Sequence, residues 1–81
     1  MIYRLRFESR SLKDIKKLEN SDKRRVIHGI EKLTVGLVGD VKKLTAFKPR
    51  YRLRLGNFRV LFDLESDEIV VHRIKDRRDA Y

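Results

Sequence analysis

Eighty-one residues make one domain with room for one sheet and two helices, and a chain this small buries only about 60 % or a little more of its unfolded surface. Apolar residues reach 41 %, which argues against disorder, while an equal 41 % of charged residues, a net charge of +9 and an isoelectric point near 10.3 point to an anionic partner, nucleic acid or acidic protein. The lack of cysteine excludes disulfides and thiolate zinc sites, no apolar run approaches the ~18 residues of a membrane span, and an amino terminus that already alternates polar and apolar is unlike a signal peptide, so a cytoplasmic location is expected.

In chain order, Ile2 to Phe7 places Tyr3, Leu5 and Phe7 on one face and Arg4 and Arg6 on the other, the pattern of a half-buried strand. Ser9 or Ser11 can cap a short helix whose apolar face is Leu12, Ile15 and Leu18. Ser21 and Asp22 signal the start of a second helix, with Val26, Ile30, Leu33 and Leu37 as its stripe, Ile27 widening it and Gly36 or Gly39 ending it. Val41 to Pro49 reads as a loop. The segment Arg50 to Leu64, RYRLRLGNFRVLFDL, reads as two strands joined at Gly56-Asn57, with Arg50, Arg52 and Arg54 on one face, Tyr51, Leu53 and Leu55 on the other, and Arg59 continuing the basic set. Glu65 to Glu68 is a turn, and Ile69 to Ile74 a β-branched strand.

The expected fold is therefore α+β, a single domain over residues 1–81: strand, helix, helix, strand, strand, strand, in a mostly antiparallel four-stranded sheet with two helices packed on one face. The opposite face carries the arginines. Asp63, Glu65, Asp67 and Glu68 surround a turn without a histidine at ligand spacing, so no metal site and no cofactor is expected. His28 reads as a surface or boundary helix residue, and His72 as a structural histidine that can reach the basic face. For Arg50, Arg52 and Arg54 the plain alternative is a solvated strand face; for Arg59 it is an ion pair with Asp63 or a neighbouring carboxylate, and for Tyr81 a frayed end.

The order of elements, the segment YRLRLGNFRVLFDL, the following EIVVHRI and the closing RRDAY together resemble the RelE/ParE superfamily of bacterial and archaeal toxins, most closely its RelE branch. The resemblance spans essentially the whole chain and is sharpest in its last third. It implies the toxin of a type II toxin–antitoxin pair: a ribosome-dependent, metal-independent endoribonuclease that cleaves messenger RNA in the ribosomal A site and is silenced by a cognate RelB-like antitoxin. Its partners would be that antitoxin, the ribosome and mRNA, with no membrane partner and with DNA reached only through the antitoxin. Carried onto this chain, the resemblance implies Arg52, Arg54, Arg59, Arg77 and Tyr81 as catalytic residues, with Arg50, Lys48, Lys75 and Arg78 as RNA-binding cations. Two departures stand out. Asp76 occupies the place where many relatives have a histidine before two arginines, and Arg52 and Arg54 stand where some active relatives carry lysine. A ParE-like inhibitor of DNA gyrase without nuclease activity, and a weakened relative that only binds RNA or antitoxin, are the alternatives on the same fold.

Cleavage without a metal uses the neighbouring 2′-hydroxyl as nucleophile, so the protein must help remove its proton, stabilise the phosphorane and help the 5′-oxygen leave. Arginine suits the second task because its fixed fork matches phosphate oxygens. With a pKa above about 12 it is a poor base, which leaves Tyr81 as general base or base-stacking aromatic and Lys75 as acid.

Overall fold

The computed structural model describes residues 2–44, 46 and 49–77. Its elements are β1 (Arg4–Phe7), α1 (Ser9–Lys16), α2 (Asn20–Leu33), β2 (Asp40–Lys43), β3 (Tyr51–Leu55), β4 (Phe58–Glu65) and β5 (Glu68–Asp76), and the sheet order is β1-β5-β4-β3-β2. The sheet thus has five strands where four were expected. The correction lies at Asp40–Lys43, expected as turn and loop, which pairs antiparallel with β3 from Asp40 opposite Arg54 to Lys43 opposite Tyr51. Only Val41 of this strand packs on the core, so it carries almost no side-chain alternation, and two lysines on an edge strand discourage further pairing.

β3, β4 and β5 form the antiparallel meander, and β1 joins β5 in parallel, Arg4 opposite Glu68 through Phe7 opposite Val71. Both meander turns are tight. Gly56 takes a left-handed φ of 57°, as the first central residue of a primed hairpin turn requires, and Ser66 adopts φ 60° in the second turn. That second turn is braced from β1. Arg4 donates to Asp67 Oδ1 from Nη2 at 2.9 Å and Nε at 3.2 Å, while Arg6 lies between the facing Glu65 and Glu68, at 3.7 and 3.0 Å.

Alternation puts Leu53, Val60 and Ile74 in one cross-strand row against Val26, Ile30 and Leu33 of α2, and with Phe58, Phe62, Ile69 and Val71 these form the buried core. Gly29 permits the close approach of helix and sheet. A Cβ there would stand 2.6 Å from both methyl groups of Leu55.

The helix boundaries differ from the sequence expectation in detail. Glu8 and Glu19, not serines, occupy the N-cap positions, and neither side chain caps; Ser11 is instead buried, its hydroxyl donating to the Glu8 carbonyl at 2.7 Å. Leu37 lies beyond α2 in a left-handed turn (φ 60°) yet packs on the core, whereas Leu12, expected on the apolar face of α1, is exposed. Because β1 covers only residues 68–71 of β5, the remainder of that strand has an open edge, and α1 fills it through one carboxylate. Asp14 accepts from Arg73 Nε at 2.8 Å, Arg73 Nη2 at 3.2 Å and the Ile74 N–H at 2.9 Å. Burial works to raise the pKa of Asp14, but the Arg73 hydrogen bond, the Ile74 N–H and the charges of Arg73 and Lys17 outweigh it and hold the carboxyl below its ordinary 3.8.

Candidate functional site

The sheet face turned away from α2 carries two cross-strand rows. Residues directly opposite in adjacent strands share a face, so Asp40 of β2, Arg54 of β3, Arg59 of β4 and Lys75 of β5 stand side by side, three cations with one carboxylate at the β2 end, and one two-residue step along lie Lys42 of β2, Arg52, Leu61 and Arg73. Like charges directly opposite each other repel. A folded protein keeps such a row for a reason.

Charge pairing elsewhere sharpens the point. Arg4, Arg6, Arg50 and Arg73 each make a salt bridge to a carboxylate. Among the described residues, Arg52, Arg54, Arg59 and Lys75 make none. Arg59 Nη1 donates to the carbonyls of Gly56 and Phe58, both at 3.1 Å, which holds its guanidinium against the hairpin turn while leaving its charge unneutralised. The ion pair with Asp63 considered for Arg59 is made by Arg50 instead.

That pair accounts for Arg50. Asp63 is fully buried, and its Oδ1 receives Arg50 Nε at 2.6 Å and the Leu64 N–H at 3.0 Å; Arg50 Nη2 reaches the Leu64 carbonyl at 2.9 Å. Arg50 therefore sits on the same face as Arg52 but is committed to a buried carboxylate, whose hydrogen bond and charge raise its pKa further. Arg77 lies past the end of β5, its N–H donating to the Asn57 carbonyl at 2.7 Å, in a groove shared with Asp22, Arg25, Phe58 and Asp76. Lys48, Arg78 and Tyr81 lie outside the described residues. The structure thus brings Arg52, Arg54, Arg59 and Lys75 onto one face and sets Arg50 and Arg77 at its margins.

Sequence reasoning missed Lys42, which faces Arg52 across the β2–β3 ladder. Recognising the short alternation around Val41 as a strand was the one available signal. It also gave no hint of the register shift in β4–β5: Leu61 faces Arg73 and Phe62 faces Val71, which leaves His72 as an extra residue in a bulge.

Fold and face together define a small basic α+β protein whose sheet surface carries a group of cations, Arg52, Arg54, Arg59 and Lys75, that make no salt bridge among the described residues. Residues 5–81 match the family model described as ParE toxin of type II toxin-antitoxin system, parDE. The chain is 31 % identical to the RelE1 protein of Methanocaldococcus jannaschii over 87 aligned residues, covering 100 % of this chain and 97 % of that one. It is also 33 % identical to Toxin RelE3 of the same organism over 42 residues, 52 % of this chain and 48 % of that protein. Among solved structures, the archaeal RelE-RelB complex from Pyrococcus horikoshii OT3 superposes with a TM-score of 0.81 at 27 % identity, covering 99 % of this chain and 100 % of that chain. The RelB-RelE antitoxin-toxin complex from Methanococcus jannaschii gives 0.76 at 26 % identity over 91 % and 92 %. The chain belongs to the RelE/ParE superfamily and is a RelE-like toxin of a type II toxin–antitoxin system.

Proposed function

We propose that the toxin acts as a ribosome-dependent messenger RNA endoribonuclease, using the cationic sheet face to hold and polarise the scissile phosphate. The observation that carries the reading is the row Arg54–Arg59–Lys75: three adjacent cations that make no salt bridge among the described residues, with the only carboxylate of the row, Asp40 of β2, at its far end opposite Arg54. Arg54 and Arg59 would neutralise the equatorial oxygens as the 2′-hydroxyl attacks, and Arg52, one step along β3, would hold an adjoining phosphate. Lys75 stands beside Arg59, where an ammonium can donate a proton to the departing 5′-oxygen, a step the arginines cannot take. Tyr81 is the proposed general base or stacking residue. Positioning and electrostatics do most of the work, with the ribosome orienting the message.

A RelB-like antitoxin is the partner supported by the RelE-RelB complexes that the fold matches. An acidic antitoxin segment would neutralise the +9 charge and displace RNA from the same face. The family model's ParE description keeps gyrase inhibition as the second reading. Expression in cells separates them: arrested translation with shortened, codon-phased message ends supports the nuclease, whereas intact message with double-strand DNA breaks supports gyrase.

A further inference from the structure

The bulge that displaces His72 opens onto a crevice of about 310 Å³ lined by Glu8, Ser9, Arg10, Pro49, Leu61, His72 and Arg73. Leu61 belongs to the row of Lys42, Arg52 and Arg73, so the crevice lies on the cationic face, within about 7 Å, or two residues of strand rise, of the Arg54–Arg59–Lys75 row. His72 Nε2 is buried and makes no hydrogen bond, as is Nε of the neighbouring Arg52. Buried polar atoms are ordinarily satisfied. With Asp63 Oδ2, three such atoms are left open on this face, and among them only His72 lines the crevice, where a bound group can complete its bonding.

The chemistry of the lining favours a base over a phosphate. A phosphate offers acceptors only, and the Glu8 carboxylate would repel it. A nucleobase carries donors and acceptors on one edge, which suits Glu8 as acceptor through Oε2, its Oε1 receiving Arg6 Nη1 at 3.4 Å, with Arg10 as donor and His72 as either, and its flat ring suits the apolar walls of Leu61 and Pro49. The volume is at the lower limit of small-molecule sites, fitting one base. We infer that this crevice receives a single base of single-stranded RNA flanking the phosphate held by the cationic row, with His72 as a specificity-determining residue. The inference rests on the proposed RNA reading of that row.

The test is an amide and imidazole NMR titration of the full chain with AMP, CMP, GMP and UMP, with inorganic phosphate, and with single-stranded trinucleotides. Nucleotides should shift Ser9, Leu61 and His72, one base more strongly than the others, while inorganic phosphate shifts only the Arg54–Arg59–Lys75 row. His72→Phe, or Arg10→Ala at an exposed position if the first variant does not fold, should weaken the crevice response at least about tenfold without altering the phosphate response. Trinucleotides should bind more tightly than mononucleotides, because they reach both places. Crevice shifts reproduced by phosphate alone, no crevice shift up to the solubility limit of all four nucleotides, or equal affinity for mono- and trinucleotides would each overturn the inference. Message cleavage is measured separately: an occupied crevice with uncut message refutes the nuclease alone, and cut message with an empty crevice refutes the crevice alone.

Discussion

Asp14→Ala removes one carboxylate that holds α1 to the open edge of β5 through three hydrogen bonds. Orphaning the part-buried Ile74 N–H costs about 1–3 kcal/mol, and a hydrogen bond to a charged group contributes about 1.5–3 kcal/mol. Arg73 keeps 28 % of its side-chain surface exposed, so water replaces part of what is lost. The lower ends of those ranges sum to about 2–3 kcal/mol. In a domain of this size that lowers Tm by about 8–24 °C, readable by circular dichroism. Asp14→Asn retains an acceptor and should lose about half as much. The pH dependence carries a sign. The folded-state pKa of Asp14 is depressed, so its contribution is present above the ordinary 3.8 and is lost as pH falls through the lower folded value. Wild-type stability should therefore fall more steeply with acid than that of Asp14→Asn; the exposed Asp67, depressed mainly by its hydrogen bond from Arg4, supplies a residual slope in both. An Asp14→Ala protein within about 0.5 kcal/mol of wild type, or identical acid slopes in wild type and Asp14→Asn, would refute the reasoning.

Arg50→Ala leaves the buried Asp63 with only the Leu64 N–H, so it should lower Tm far more than Arg4→Ala, which breaks an exposed pair; equal losses in thermal unfolding would contradict this. Lys42→Ala and Arg54→Ala should each reduce the slope of log K against log salt for single-stranded RNA by about 0.7 for each phosphate no longer neutralised, measured by fluorescence anisotropy, while leaving thermal stability unchanged. Arg59→Ala should slow single-turnover message cleavage by about 10²–10³-fold, the usual cost of removing one transition-state donor, whereas cleavage within a factor of a few of wild type would exclude it from the site.

Much of this fold is legible in the sequence because its strands alternate cleanly. Tyr51, Leu53 and Leu55 face the core and Arg52 and Arg54 the opposite side, as their two-residue period requires, and Val26, Ile30 and Leu33 form the α2 stripe. β2 was hidden because the β3 backbone recruits it and only Val41 is apolar among four residues. Leu37 fitted the helical period but reaches the core from a turn, a placement periodicity cannot distinguish. The candidate site divides the same way. Its β3 arginines follow from alternation, but Lys75 beside Arg59 and Lys42 beside Arg52 depend on register between distant segments. Arg50 shows the limit most clearly: by period it belongs with Arg52 and Arg54, and only the buried Asp63, thirteen positions on, commits it to the fold. His72 enters through a bulge, which no local pattern announces.

Primer extension on a message translated in a purified system, with and without ribosomes, tests the central claim most directly. The account predicts codon-phased cuts that require ribosomes and fade together in Arg54→Ala and Arg59→Ala proteins that remain folded. Intact message with the wild-type chain, or cuts that persist undiminished in both variants, would contradict it.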